Sequence, residues 1–218
     1  MRKPTMIVKR VRLVGEMPMR PSTRIGIDLP SDDLRFGIYY AKTAEDCETA
    51  TIHWGDGTSE TAATLAKAIH TYPRPGRYVV RIEDHLAAIS FSQITEGEFR
   101  AFPPRIVSFV SDAQRLTTLY ARCFWNATNL RTLDVRDAAI TTLSTHTCSG
   151  CTALTGELAF PRVYMVSGAS TGAPFYNCTG LTAIHFAAEN EDKVRLSSAC
   201  RSDPTLGTGK DDILQFDL

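Results

Sequence analysis

The sequence predicts a mainly β protein: a sandwich of short strands, then a short stack of repeats closed by a small helical cap. Three observations predict it. Short alternating apolar runs, divided by Gly, Pro and Asp turns, fill the first half of the 218 residues. In the second half a ten-residue pattern recurs, its shared leucine at 130, 154 and 181, spacings of 24 and 27. The chain also holds 25 Thr but only six Lys, and a β-branched residue suits strands.

The elements follow in order. Residues 6–14 read as a strand, and Ile25, Ile27 and Leu29 share one face of the next. Pro30 to Asp33 is a turn cluster, and Leu34 to Tyr40 is a further strand. Thr49 to Trp54 places Ile52 and Trp54 on one side. Gly55-Asp56-Gly57-Thr58 is a tight turn, since Gly reaches positive φ freely and Asp bonds its own following backbone. After His70-Thr71-Tyr72 and the turn Pro73 to Gly76, a strand carries Tyr78, Val80 and Ile82 on one face.

Trp54-Gly55-Asp56-Gly57-Thr58, then His70-Thr71-Tyr72, then Pro75-Gly76-Arg77-Tyr78-Val79-Val80 resemble, in that order, the core of a PKD-type domain. The resemblance implies an immunoglobulin-like sandwich over about residues 1–92, with Trp54 and Tyr72 in its core and Asp56-Gly57 as a hairpin turn. An acid/base role for Asp56 beside His53 or His70 is the lesser reading, because the turn explains the Asp. The Gly-Asp-Gly triplet lacks the Lys and helix of a phosphate loop.

The repeated segments are Phe124 to Leu133, Cys148 to Glu157 and Phe175 to Ile184. Each has a small residue (Ala127, Cys151, Cys178), then Thr, then the shared Leu130, Leu154 or Leu181. Such units bury their apolar face only by stacking, which predicts a solenoid with Cys acting as a small hydrophobe. Phe124, Cys148 and Phe175 form a second interior column, with Tyr164 or Met165 expected to fill the volume Cys148 lacks. The pattern resembles BspA-type leucine-rich repeats, most closely at Phe175 to Leu181. That resemblance implies surface exposure and binding of proteins or glycans without catalysis. The repeats and cap are expected over 105–218, with a linking segment at Glu96 to Pro104. Two Asn-x-Thr triplets, at Asn126 and Asn177, read as recurrence of the unit rather than as glycosylation sites.

Residues 187–196 predict the helical cap, with acids early and bases late. Pro204 to Gly209 reads as a loop and Asp211 to Leu218 as a last strand. Lys plus Arg and Asp plus Glu each total 24, so net charge is zero. The basic stretch Lys9, Arg10, Arg12, Arg20 and Arg24 is expected to face the acidic 27–60 segment, not nucleic acid, for which the chain has no motif. No apolar run is long enough for a membrane span, and charges interrupt 6–14 too often for a signal peptide. His146, Cys148 and Cys151 lack the second close-spaced pair of a structural zinc site. No cofactor, metal or catalytic set is expected.

The residues expected to build the architecture are Trp54, Gly55, Asp56, Gly57, Tyr72, Gly76 and Tyr78 in the sandwich. In the repeats they are Phe124, Leu130, Cys151, Leu154, Phe175, Cys178 and Leu181. The expected function is a non-enzymatic binding or adhesion module for protein or glycan, extracellular or displayed on a bacterial surface or virus particle. The alternative is a structural or assembly protein of a phage particle, or a surface spacer.

Overall fold

Strand pairing, far more than helix, holds the chain together. The structure, a computed structural model, describes residues 20–62, 68–95, 98–168, 172–210 and 212–218. The strand expected at 6–14, with Lys9, Arg10 and Arg12, lies outside the described residues. The first half contributes β1 (Ser22–Leu29), β2 (Arg35–Ile38), β3 (Tyr40–Thr43), β4 (Ala50–His53) and β5 (Ser59–Ala62). It continues through β6 (Ala68–Thr71), β7 (Gly76–Glu83), β8 (Leu86–Ser90) and the hairpin β9 (Ser92–Thr95) and β10 (Glu98–Ala101). A 3-10 turn at Pro103–Arg105 leads into β11 (Ile106–Ser111).

The second half is built of shorter strands: β12 (Thr118–Leu119), β13 (Thr132–Asp134), β14 (Thr142–Leu143), β15 (Gly156–Phe160), β16 (Met165–Val166) and β17 (Leu181–Phe186). Helices α1 (Glu191–Arg195) and α2 (Ser198–Ser202) precede the last strand, β18 (Leu214–Phe216). The predicted cap is therefore two short helices, and within the predicted last strand the strand itself is Leu214–Phe216. Ser197 caps α2 by accepting from the Cys200 amide.

The main sheets cross the middle of the chain. One has the order β13-β11-β1-β7-β4-β5, and another β16-β14-β12-β8-β3. β11 is antiparallel to β1 and parallel to β13, while β8 is antiparallel to β3 and parallel to β12. A third sheet, β15-β17-β18, is wholly parallel. The segment expected to link two modules thus carries β10 and the 3-10 turn, and leads directly into a strand paired to both halves. Phe91 and Phe109 make the seam continuous. Phe91 lies 5.8 Å from Phe36 and 5.6 Å from Phe124, and Phe109 lies 5.0 Å from Phe124, between ring centres.

In the first half Trp54 and Tyr72 are buried, and the Tyr72 hydroxyl donates to the Trp54 carbonyl at 2.9 Å. The turn between β4 and β5 closes with the Trp54 amide donating to the Thr58 carbonyl. Gly55 and Gly57 take φ of +87° and +95° there, conformations that side chains rarely adopt. Tyr78 is half-buried on Tyr72, at 4.3 Å.

In the second half three turns stack: Arg122–Thr128, His146–Thr152 and Ala173–Thr179. Their amides alternate in purpose. The amides of Cys123, Trp125 and Ala127 bond three residues back along the chain, to Tyr120, Arg122 and Phe124. Those of Arg122, Phe124 and Asn126 donate to Thr145, Thr147 and Ser149 of the next turn. The second turn does the same, with His146, Cys148 and Gly150 donating to Gly172, Pro174 and Tyr176. Inside the stack lie Phe124, Cys148 and Phe175, then Ala127, Cys151 and Cys178, then Leu130, Leu154 and Leu181, all buried.

The thiols have assigned partners. Cys151 donates to the Phe124 carbonyl at 3.2 Å and Cys178 to the Cys148 carbonyl at 3.0 Å. All six cysteines are free. Tyr164 and Met165 do not fill the space beside Cys148: both are exposed, and the chain there buries Val163 and Val166 instead. Phe160 packs on Phe175 at 5.8 Å, and also on Phe186.

Candidate functional site

Two adjoining pockets that share lining residues form a trough across the ends of the strands. One arm, about 740 Å³, is floored by Leu29, Pro30, Pro104 and Val107 and edged by Arg77, Arg105 and Arg131. The other, about 540 Å³, runs from Arg131 and Arg136 to Glu157, His185 and Asp217. Arg131 and Thr132 line both arms. The lining residues lie on or beside β7, β1, β11 and β13 of one sheet and β15 and β17 of another.

Its charges are mostly committed to one another. Arg77 pairs with Asp28 at 3.2 Å, and Arg136 with Asp134 at 2.8 Å. Arg105, only 17% exposed, is fixed by Asp33 at 2.7 Å and lies over the Phe102 ring. Hydrogen bonding from Arg35, partly opposed by burial and aided by the nearby Arg105 charge, holds the Asp33 carboxyl down at about 2. At the far end His185 Nδ1 meets Asp217 at 2.8 Å and its Nε2 lies 3.6 Å from Glu157. Arg131 is exposed, and among the described residues its guanidinium has no hydrogen-bond or ion-pair partner.

None of the residues singled out as Trp54 to Tyr78 lines this trough; they build the turn and core beside it. Of the repeat residues, Leu154 alone reaches it. Arg77, Arg105, Arg131 and Arg136 were not singled out by sequence. Arg131 did carry a signal: it stands where the aligned copies have Thr155 and Thr182.

The structure does join Asp56 to His70, at 2.7 Å. The imidazole also stacks on Trp54, with 5.0 Å between ring centres, and its edge meets Tyr72. Burial pushes the Asp56 carboxyl up, but hydrogen bonds from Thr58 and His70 outweigh it and hold the group at about 2. A carboxylate so stabilised is a weak base, and the pair serves to lock the turn onto the core. The acids of the 27–60 segment pair with later residues: Asp28 with Arg77, Asp33 with Arg35 and Arg105, Asp46 with Arg115. Among the described residues none of these acids pairs with Arg20 or Arg24, and Lys9, Arg10 and Arg12 of the basic stretch lie outside them. Among the described residues no three His, Cys, Asp or Glu side chains are placed to hold a metal ion together. No helix among them is long and apolar enough to cross a membrane.

No family model matches the chain, and neither the curated proteins nor the solved structures contain a match to it.

Proposed function

We infer that this protein is a non-enzymatic binding or adhesion module, extracellular or displayed on a bacterial or virion surface. In this reading a PKD-like sandwich and a short BspA-like leucine-rich-repeat solenoid present one continuous face to a protein or glycan. The observation that carries it is the trough. It is long, open, lined by side chains from both halves, and edged by hydrogen-bonding groups held in place by their own ion pairs. Open faces made by successive repeats commonly serve as extended contact surfaces. The stacked amide ladder supports the solenoid, since alternate amides of each turn serve the next.

A glycan array and a peptide array probed with the whole chain test this reading. Binding above background that weakens on substituting residues of the trough is expected. Absence of any ligand on both arrays overturns it.

A further inference from the structure

The trough is unevenly charged along its length, and this narrows the ligand. We propose that it binds a glycan with a single carboxylated sugar in an otherwise neutral chain, the carboxylate seated between Arg105 and Arg131. The proposal rests on the binding-module reading above and goes further by naming the ligand class.

The argument begins with the arginines. Guanidinium groups present planar, paired donors that match a carboxylate. Arg105 is rigid, held between Asp33 and the Phe102 ring, so little entropy is lost when it binds. Arg131 is exposed and has no partner among the described residues. It is also the charged exception in a column where the other repeat copies carry Thr. The other arginines of the trough, Arg77 and Arg136, each have a carboxylate of their own, Asp28 and Asp134, whereas Arg105 shares the single Asp33 carboxylate with Arg35 and so keeps surplus positive charge. One anionic group is therefore what the site accommodates.

The remainder of the trough disfavours further negative charge. Glu157 and Asp217 stand at its far end around His185, and a second anion there meets like charge. Those carboxylates, with Thr132, Thr155 and Asn129, are groups that hydrogen-bond hydroxyls. The direction of the trough separates a glycan from a peptide. Extended peptides gain affinity from main-chain bonds along one free strand edge. This trough crosses the strands, so recognition falls to side chains reading side groups.

The test uses the full chain in titration calorimetry with five probes. They are an oligosaccharide bearing one hexuronate, one bearing one terminal sialic acid, the carboxyl-reduced form of each, and a heavily sulfated chain. Binding of either carboxylated probe is expected, at least about tenfold tighter than its reduced form and weakened by at least about tenfold in Arg131→Gln. Which of the two binds identifies the source of the carboxylate. Because Arg131 is exposed and its guanidinium has no partner among the described residues, that variant is expected to unfold at the same urea concentration as the parent. Exposed Tyr164→Ala, away from the trough, serves as the unaffected control. Equal binding of the reduced probes overturns the proposal while leaving the binding-module reading intact. Tighter binding of the sulfated chain than of both carboxylated probes, or binding of none of the five, overturns it too. Failure of the broader arrays is the separate result that removes the underlying reading.

Discussion

At Asn126, Gly150 and Asn177 the backbone takes φ of 55°, 79° and 62°. Asn and Gly are the residues that enter this left-handed region most readily. The three positions align in the repeat, so the recurrence of Asn or Gly there answers a backbone demand. Gly150 is doubly constrained, because a Cβ would lie 2.2 Å from the Asn126 side chain. The recurrence was readable in the sequence; its cause was not, since dihedral angles leave only compositional traces. The cysteines were readable as small interior residues, but their bonds to carbonyls one turn back depend on how closely the turns stack. Their environment fixes their reactivity, for the thiolate is the reactive form. Burial raises the Cys123, Cys148 and Cys200 thiols, while contact with neighbouring thiols and then burial raises Cys178. A thiol-reactive disulfide reagent is expected to titrate Cys47 alone in the native protein and all six cysteines in denaturant. Two or more fast-reacting thiols in the native state would contradict the stacking. Asp56 makes a second residue-level prediction. Its carboxyl titrates at about 2 when folded, against an ordinary 3.8. The stabilisation is therefore complete above about pH 4 and is lost as pH falls towards 2. Asp56→Asn is expected to lower Tm at pH 6 by several degrees, and this deficit to shrink between pH 4 and pH 2. A deficit independent of pH would refute the ionised role.

Among the elements, those with alternating faces were legible and those defined by neighbours were not. β1, β4 and β7 fall within a residue or two of the apolar alternation, because half-buried strands must alternate. β12, β14 and β16 are two residues long, too short to display any period, and exist only because parallel neighbours pair with them. The Pro204–Gly209 loop shows the same dependence. It lacks the Asn and Cys of the repeat, yet Leu206 and Gly207 accept from the amides of Phe175 and Asn177. It therefore acts as a fourth turn that closes the ladder, which a composition-based reading places in a loop. Gly207 has φ of +86°, and a Cβ there would lie 2.6 Å from the Tyr176 backbone. Gly207→Ala must shift this turn away from its neighbour. Amide hydrogen exchange is expected to accelerate by at least about tenfold at Phe175 and Asn177, the cost of the clash exceeding about 1 kcal/mol. Amides of the first turn, such as Phe124, are expected to keep their protection. Uniform acceleration across all turns would show that the loop is no local closure.

The whole molecule is governed by the seam. The sequence divides near residues 92–105 because its patterns change there, from alternating strands to a repeat, and sequence patterns report local period. Sheet partners and packing are not local. β1 and β13 flank β11, β3 and β12 flank β8, and Phe36, Phe91, Phe109 and Phe124 form one aromatic cluster across the divide. Each repeat also needs a neighbour to bury its apolar face, and the Phe91 amide, bonded to the Cys123 carbonyl, begins the ladder from the side of the first half. The two halves should then unfold together. The chain supplies its own reporters, since it has two tryptophans: Trp54 in the first half and Trp125 in the second. In each of the single-tryptophan variants Trp54→Phe and Trp125→Phe, the urea midpoint by fluorescence is expected to match that by far-UV circular dichroism. Phe91→Ala, made in both backgrounds, removes a fully buried ring from the seam, at a cost of about 3–5 kcal/mol. It is expected to move both fluorescence midpoints down by the same amount. If the seam were a mere contact between independent units, the two reporters would separate, because only the half that depends most on Phe91 would lose stability. Coincident shifts would instead mean that the trough, whose walls come from both halves, keeps its shape as long as the protein is folded at all.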